Sequence, residues 1–292
     1  MDKLTIIGGG RVGRTLGRLW KRAGVLEIDH VFDKKDTFAA EAREFIGEGE
    51  SCTSLKNRAL GKVVLLAVPD DQIASCAEVL CSMDIEEGAI VFHCSGYHSS
   101  QILQCLANRG CDTASVHPVK SFADPQKAAA TFSGTPCAAE GTPEAVEYLR
   151  QAFGAIGAVL FTVDPDKKRL YHSATVFLSN YVVSLLKVGA EVLGQSGVTQ
   201  DQSRMVLRAL CPEVVENCIE GGFLNSLTGP VSRGDTNTVG GELAVLRKQG
   251  EINYQLYKLL GRVALQIVGE GAVVDMRATQ EMERLFRFGD TD

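Results

Sequence analysis

The sequence predicts an α/β protein in two parts, a doubly wound parallel sheet followed by an all-helical domain. Over residues 1–163, short apolar runs alternate with amphipathic segments, which is typical of parallel β-α-β units. From Asp164 onward the long apolar segments have helical spacing and are separated by glycine-bearing turns. We therefore predict one domain over residues 1–163 and a second, helical domain over residues 164–292.

The strands and helices of the first part follow one another in a regular order. Its continuous apolar runs indicate strands covered on both faces, as parallel sheets are. The predicted strands are, in order, KLTIIGGG, IDHVFDKK, KVVLLAVP and GAIVFHCSG, with shorter signals in TASVHPV, TPCAAEG and AVLFTVD. The helices predicted between them are TLGRLWKRAG, AAEAREFIG, IASCAEVLCSM and SQILQCLANRG.

The helical part opens with DPDKKRLYHSATVFLSN, which carries clear start signals. Asp164 can cap the free amides, Pro165 suits the first turn, and Asp166 complements the helix dipole. Further helices are predicted in TVFLSNYVVSLLKVGAEVLGQSG, MVLRALCPEVVENCIEGG and GGELAVLRKQGEINYQLYKLLGRVALQIV. Long apolar helices of this kind are consistent with a homodimer.

The composition excludes several classes of function. The chain has 292 residues, is 45% hydrophobic and carries a net charge of −6, which argues against a nucleic-acid surface. No stretch approaches the roughly 20 uninterrupted apolar residues of a membrane span. The beginning, MDKLTIIGGG, enters a strand directly and does not resemble a signal peptide. The nine cysteines form no C-x-x-C pair, so we expect reduced thiols, a cytoplasmic location and no metal site.

A glycine motif ends the first predicted strand and opens the first helix. IIGGGRVGRTLG has the spacing G-x-G-x-x-G at Gly8, Gly10 and Gly13. These glycines permit a tight turn, close approach of a pyrophosphate and close helix–strand packing. The motif predicts a Rossmann-like, dinucleotide-binding domain in which Arg11 and Val12 also adjoin the phosphates at the helix N-terminus.

The end of the second strand leaves the choice between NAD and NADP open. Asp33 stands where a carboxylate accepts hydrogen bonds from the adenosine ribose, which favours NAD. Lys34 and Lys35 follow directly, where a cation would hold the extra phosphate of NADP. All three residues also fit an ordinary solvated turn. We lean slightly to NADP.

Two further strand ends are expected to line the cofactor. Ala67, Val68 and Pro69 end KVVLLAVP, and Ser95 follows GAIVFHC. Ligands of open α/β sheets bind outside the carboxyl ends of the strands. An ordinary β-α turn is the alternative explanation for the first of these segments.

The opening helix of the second part places polar groups on an otherwise apolar segment. At about 100° per residue, Lys168 and His172 lie roughly 40° apart, and Asn180 lies roughly 120° from Lys168. An ammonium or an imidazole near a carbonyl oxygen can donate a proton or stabilise developing charge. We predict Lys168, His172 and Asn180 as catalytic residues.

Two other segments supply predicted substrate-binding residues. His117 precedes Pro118 and is therefore held in an extended conformation. The loop LTGPVSRGD carries Arg233 and Asp235. The simpler alternatives are a histidine that satisfies a backbone carbonyl, a loop-stiffening ion pair, and an aspartate that caps the next helix.

Several segments together resemble a known family, in which a Rossmann-like NAD(P)-binding domain precedes a helical domain of unknown function. They are GGGRVG, AVPD, HCSG, HPVKSF, KKRLYHSATVFLSNY and LTGPVSRGDTNTV. The chain is more distantly similar to pyrroline-5-carboxylate reductases, β-hydroxyacid dehydrogenases and ketopantoate reductases. In the latter two, a catalytic lysine is followed four residues later by asparagine. The resemblance implies that role for Lys168, but His172 replaces the asparagine, for which Asn180 is the expected substitute.

The sequence thus predicts an NAD(P)-dependent reductase that transfers hydride from the reduced cofactor to a small carbonyl substrate. The resemblance implies a 2-oxo acid such as ketopantoate, with Arg233 as a carboxylate clamp. An imine- or opine-type reductase is a second hypothesis, since Asp235 could pair with an amine. A non-catalytic NAD(P) sensor is a third.

Overall fold

The computed structural model of the protein describes residues 1–56, 58–271 and 276–287. The chain divides into two compact units, Met1–Asn180 and Tyr181–Asp292. The helix that opens the predicted second domain therefore belongs to the first compact unit. The boundary after residue 163, as a boundary between folding domains, stays a prediction.

The described residues of the first unit form an eight-stranded sheet with the order β3-β2-β1-β4-β5-β6-β7-β8. Its strands are β1 (Asp2–Ile7), β2 (Leu26–Phe32), β3 (Glu50–Cys52), β4 (Val63–Leu66), β5 (Ile90–His93), β6 (Asp112–Pro118), β7 (Pro136–Gly141) and β8 (Val159–Thr162). Every neighbouring pair is parallel except β6 and β7, which are antiparallel. The doubly wound sheet is confirmed, with that single reversal as a correction to the all-parallel prediction.

Helices cover both faces of this sheet. The helices of the first unit are α1 (Arg11–Ala23), α2 (Asp36–Ile46), α3 (Ile73–Cys81), α4 (Gln104–Ala107), α5 (Pro125–Ala130), α6 (Pro143–Gly154) and α7 (Lys168–Leu178). On one face Trp20, Phe92 and Phe153 pack edge to face, with ring centroids 5.1–6.2 Å apart. The short β3 and the helices α5 and α6 had no predicted counterpart, although Thr142 and Pro143 form a regular start for α6.

The helices from Asn180 onward have a small core of their own. They are α8 (Asn180–Gln195), α9 (Gln200–Gly221), α10 (Phe223–Ser226), α11 (Thr236–Gln249), α12 (Glu251–Gly269) and α13 (Met276–Leu285). Val239, Leu243, Met282 and Phe286 are buried together. Gly250, with φ of 153°, divides the last predicted helical segment into α11 and α12.

The opening helix is interrupted before it reaches Asn180. Asp164 caps the start as predicted, by accepting a hydrogen bond from the Asp166 amide at 3.0 Å. Ser179 then departs from helical geometry, with φ of −126° and ψ of −72°. The continuous helix assumed for the roughly 120° separation of Lys168 and Asn180 is therefore wrong.

One helical segment, Pro165–Gln195, is long and apolar enough to cross a membrane by length and composition alone. Its mean hydropathy reaches 1.5, and none of the window is buried. A single segment of this kind is weak evidence for a span, because helices that pack against other protein surfaces have the same composition.

Candidate functional site

The glycine motif forms the turn between β1 and α1, and each glycine has a distinct steric role. Gly8 has φ of 111°, and a Cβ there would collide with the Ala67 carbonyl oxygen. A Cβ on Gly13 would collide with the Gly8 carbonyl oxygen. At Gly10 the nearest atom to an added Cβ, the Ala67 carbonyl oxygen, is 3.9 Å away. The first two glycines are required by the protein itself, whereas Gly10 leaves open space at the N-terminus of α1.

The carboxylate of Asp33 joins this turn to the end of β2. Its two oxygens accept hydrogen bonds at 3.0 Å, one from the Gly9 amide and one from the Lys35 amide. The Arg14 guanidinium donates to the Gly9 carbonyl at 2.9 and 3.0 Å. Arg11 is exposed at the first position of α1, and Val12 packs partly against the core. These contacts hold the turn in place before any ligand arrives.

Beside Asp33, the first unit contains a cavity of about 1320 Å³ between α3 and the segment that follows β3. Lys34 lines it and donates to the Gln72 side chain at 3.3 Å. Arg58 also lines it and is paired with Glu50 at 2.8 Å. The polar lining also includes hydroxyl groups, a further lysine and two carboxylates, at Thr53, Ser54, Ser75, Ser82, Lys56, Asp84 and Glu86.

The predicted turn after β4 is present. The Ala67 amide donates to the Ile7 carbonyl at 2.7 Å, so Ala67 and Val68 extend directly beyond the sheet. Pro69 precedes a short 3₁₀ helix, Asp70–Gln72, that leads into α3. Because Ala67 also lies against Gly8 and Gly13, these residues form one wall of the glycine turn.

At the end of β5, buried hydrogen bonds fix the loop that carries Ser95. The Ser95 hydroxyl oxygen accepts from the amides of Tyr97 and His98 at 3.1 and 2.9 Å. The Ser95 amide donates to Nδ1 of His93 at 3.2 Å, while Nε2 of His93 lies 3.3 Å from the Ser99 carbonyl. Burial, and then the Lys168 cation, lower the pKa of His93 to about 3. His93 is therefore neutral and structural.

Lys168 is part of a buried network. Its side chain is 1% exposed, and its ammonium donates to the Ser115 hydroxyl and, at 3.3 Å, to Glu140, which is 3% exposed. Glu140 also accepts from the amide and the hydroxyl of Ser100 at 2.8 and 2.7 Å. Ser115 lies 3.2 Å from the Ser95 carbonyl oxygen. The network thus fastens the first turn of α7 to β6, β7 and the loop after β5.

Two effects act on the Lys168 ammonium in opposite directions. Burial lowers the pKa of Lys168, and the Glu140 carboxylate partly opposes that shift. The ammonium is engaged with protein groups on the side that faces the sheet. The structure supports a role for Lys168 in positioning the loop at Ser95, and a direct catalytic role stays a prediction.

Two histidines meet at Gly96. A Cβ added to Gly96 would lie 2.6 Å from Cδ2 of His172 and 3.0 Å from both Cε1 and Nε2 of His117. The centroids of the two imidazole rings are 6.4 Å apart. Both side chains are partly exposed, in contrast to Lys168. The structure thus brings the predicted residues His117 and His172 together at the carboxyl ends of β5 and β6.

His117 also contacts a tyrosine of α7. Its Nδ1 lies 2.9 Å from the hydroxyl of Tyr171. Burial, and then the Lys168 ammonium and the neighbouring His172, lower the pKa of His117 to about 4. Burial raises the pKa of Tyr171 to about 12. Both side chains are therefore neutral near pH 7, and the tyrosine keeps its proton.

Of the remaining predicted residues, Asn180 ends the first unit, and Arg233 and Asp235 belong to the second. Asn180 is exposed at the start of α8 and accepts from the Ser179 hydroxyl at 2.9 Å. Asp235 caps α11 by accepting from the amide of Thr238 at 3.1 Å and from its hydroxyl at 2.7 Å. These hydrogen bonds lower the pKa of Asp235. Arg233 is exposed in the preceding loop, and its predicted role as a carboxylate clamp stays a prediction.

Sequence analysis did not identify Ser115, Glu140 and Tyr171. Glu140 could have been identified from the sequence, because a lone carboxylate in the apolar run PCAAEG is unusual unless it is paired. Ser115 lies two positions before His117 on β6, and so on the same face of the strand. Tyr171 had no such signal, because it adjoins His172 on an ordinary helix.

Two family models match the chain. A model described as a Rossmann-like domain matches residues 2–118. A model described as a domain of unknown function, DUF2520, matches residues 135–264. The second model begins before β7 and so includes Glu140, Lys168, Tyr171 and His172. Among curated proteins, none matches the chain.

Solved structures with the same fold cover almost the whole chain. A protein from Thermotoga maritima is 27% identical, with a TM-score of 0.72 over 91% of this chain and 98% of that one. A Bacteroides fragilis protein described as a candidate NADP oxidoreductase is 20% identical, with a TM-score of 0.73 over 90% and 97%. Pyrroline-5-carboxylate reductase from Coxiella burnetii is 14% identical, with a TM-score of 0.60 over 97% and 98%.

Proposed function

We propose that this chain, which joins a Rossmann-like domain to a DUF2520 domain, is an NAD(P)-dependent reductase of a small carbonyl compound. The observation that carries the proposal is the glycine turn, in which Gly10 alone leaves open space at a helix N-terminus. The neutral, partly exposed pair of His117 and Tyr171 at the carboxyl end of β6 adds the acid–base chemistry that reduction requires.

The residues present fit a nicotinamide dinucleotide. The amides that open α1 would bind the pyrophosphate, and Asp33 would accept from the adenosine ribose. Ala67, Val68, Pro69 and Ser95 would border the remainder. When bound, the reduced cofactor supplies a hydride, while the protein orients the substrate and provides the proton.

The charges beside Asp33 favour NADP over NAD. Both carboxylate oxygens of Asp33 already accept backbone amides, which reduces their capacity for two ribose hydroxyls. Lys34, Lys56 and Arg58 border the adjoining cavity together with four hydroxyl groups. These cations outnumber the carboxylates of Asp84 and Glu86 in the lining, which favours a phosphate. We infer that the extra phosphate of NADP is bound there.

Replacement of Lys34 tests this preference. We expect Lys34→Ala to weaken NADPH binding about 10- to 100-fold, the loss of one charged hydrogen bond, and to leave NADH binding nearly unchanged. Lys35→Ala is the matched control, because the Lys35 ammonium lies over the Phe38 ring at 5.1 Å. Fluorescence titration of both variants with both cofactors measures the effect. Equal weakening of NADPH and NADH by Lys34→Ala would contradict the assignment.

The proposed substrate is a 2-oxo acid, with ketopantoate as the first compound to assay. Arg233 would bind its carboxylate through the planar guanidinium. An amine substrate is less well supported, because the Asp235 carboxylate that could pair with it already caps α11. Oxidation of NADPH after addition of ketopantoate would support this choice. Tight NADPH binding without oxidation by any carbonyl or imine compound would support the sensor hypothesis.

We also propose that the exposed apolar surface of α8 and α9 binds a second copy of the chain. The large apolar side chains there include Val183, Met205 and Val215, which are 68%, 70% and 53% exposed. Patches of this kind on soluble proteins mark interfaces. We expect light scattering to give twice the chain mass of 31.4 kDa, and Val183→Glu with Val215→Glu to give the monomer. A monomeric wild-type protein that binds neutral lipid vesicles would contradict the proposal.

A further inference from the structure

The hydrogen bond between His117 and Tyr171 has a preferred direction. Nδ1 of His117 and the Tyr171 hydroxyl are 2.9 Å apart, and a single proton lies between them because both groups are neutral. An imidazole nitrogen is a better acceptor than a phenol oxygen, so the hydroxyl donates to Nδ1. The proton of the neutral ring is then on Nε2.

Nε2 of His117 is available to a ligand. It has no hydrogen-bond partner among residues 1–56, 58–271 and 276–287. It lies beside Gly96, whose lack of a side chain lets both imidazoles approach the backbone, and the His117 side chain is partly exposed. Nε2 of His117 is thus at the carboxyl ends of β5 and β6, the edge of an open α/β sheet at which ligands bind.

Lys168 is less suited to contact a substrate. Its ammonium is almost fully buried and is occupied by Ser115 and Glu140. A direct role would require that ion pair to open and would leave Glu140 charged and unpaired. His117 needs no such rearrangement.

We propose that His117 donates the proton to the substrate oxygen through Nε2, and that Tyr171 is the positioning residue that keeps the proton on that nitrogen. This inference rests on the proposed reductase function. It assigns to His117 the donor role predicted for Lys168, and it gives Tyr171 a role that neither the sequence nor the comparisons suggest.

The proposed reduction needs no reactant besides the reduced cofactor, the carbonyl substrate and water. The carbonyl carbon gains a C–H bond with the electron pair that breaks away from the reduced nicotinamide, which is oxidised. The oxygen gains the Nε2 proton as Nδ1 takes the Tyr171 proton. The proton transfer is energetically favourable because an alkoxide is a stronger base than the tyrosinate of Tyr171, whose pKa is about 12. Tyr171, which is partly exposed, then regains a proton from water.

The first test needs neither cofactor nor substrate. Nitrogen-15 NMR of the five histidines, with His117→Gln to assign the signal, reports which ring nitrogen carries the proton. We expect the Nε2–H form near pH 7, and a clear shift toward the Nδ1–H form in Tyr171→Phe, which keeps the aromatic packing on Phe161. A wild-type Nδ1–H ring, or an unchanged ring in Tyr171→Phe, would overturn the inference.

The second test is kinetic. With reduced cofactor and a carbonyl compound, we expect Tyr171→Phe to lower kcat about 100-fold while KM and the cofactor Kd stay constant. The basic limb of the pH–kcat profile should also change. The titratable groups that face His117 are Lys168, His172 and Asp70. Tyr148→Phe, which removes a remote hydrogen bond to Asp2, should behave as wild type.

The two tests separate the inference from the function on which it rests. Unchanged kcat in Tyr171→Phe, in a protein that does reduce a carbonyl compound, would overturn only the inference. A wild-type protein that shows the expected tautomer but reduces no carbonyl compound would refute the reductase function and, with it, the proton donation.

Discussion

Lys168→Met should lose both stability and turnover. The substitution keeps most of the side-chain volume but leaves the Glu140 carboxylate, 3% exposed, without its cation. An unpaired buried charge of this kind costs about 3–5 kcal/mol in the free energy of unfolding. The loop at Ser95 would also lose the anchor that reaches it through Ser115. Urea denaturation and reductase assays of the same preparation measure the two effects.

The double variant Lys168→Met/Glu140→Gln separates the effect of the unpaired buried charge from a direct role of Lys168 in catalysis. With no charge left buried, we expect the free energy of unfolding to return close to the wild-type value. Turnover should then fall by less than about 100-fold, the lower end of what a general acid contributes, because His117 is intact. A stable double variant with a far larger loss of kcat and normal cofactor binding would restore Lys168 as the direct proton donor.

Gly10→Ala should fold normally and fail to bind the cofactor. Gly10 has φ of −69°, which suits any residue, and an added Cβ meets no protein atom within 3.9 Å. We expect its stability to remain within about 1 kcal/mol of wild type. The new methyl group would occupy the space through which a pyrophosphate approaches the backbone.

The neighbouring glycines provide the matched comparison. Gly8→Ala and Gly13→Ala introduce collisions with backbone oxygens and should lower the melting temperature as well as binding. Thermal unfolding and cofactor titration of the three variants separate loss of fold from loss of the phosphate site. Cofactor binding by Gly10→Ala equal to that of wild type would show that the turn does not hold a pyrophosphate.

The repeated pattern of apolar runs was sufficient to predict most of the fold. Among the first six strands, all but β3 follow from that periodicity together with the helices between them, since each of these elements is amphipathic or continuously apolar. The reversal between β6 and β7 was not predictable in this way, because strand direction depends on the path of the connection rather than on composition. The three-residue β3 was too short to give a pattern.

The candidate site was predicted only in part, for a similar reason. The spacing of Lys168 and His172 placed both on one helix, but it could not show that one is buried in an ion pair and the other partly exposed. That difference depends on Glu140 and Gly96, which are distant in sequence and meet the helix only in the folded unit. Local signals such as caps and glycine turns were reliable, whereas partners across strands were not.

Titration of the wild-type protein and of Gly10→Ala with NADPH tests whether the chain is a reductase built on a dinucleotide site. Trp20, the single tryptophan of the chain, lies in α1 and serves as the fluorescence donor to the reduced nicotinamide. We expect saturable quenching of Trp20 fluorescence in the wild-type protein and none in the folded Gly10→Ala variant. Absence of quenching in both proteins, with NADH equally without effect, would contradict this expectation.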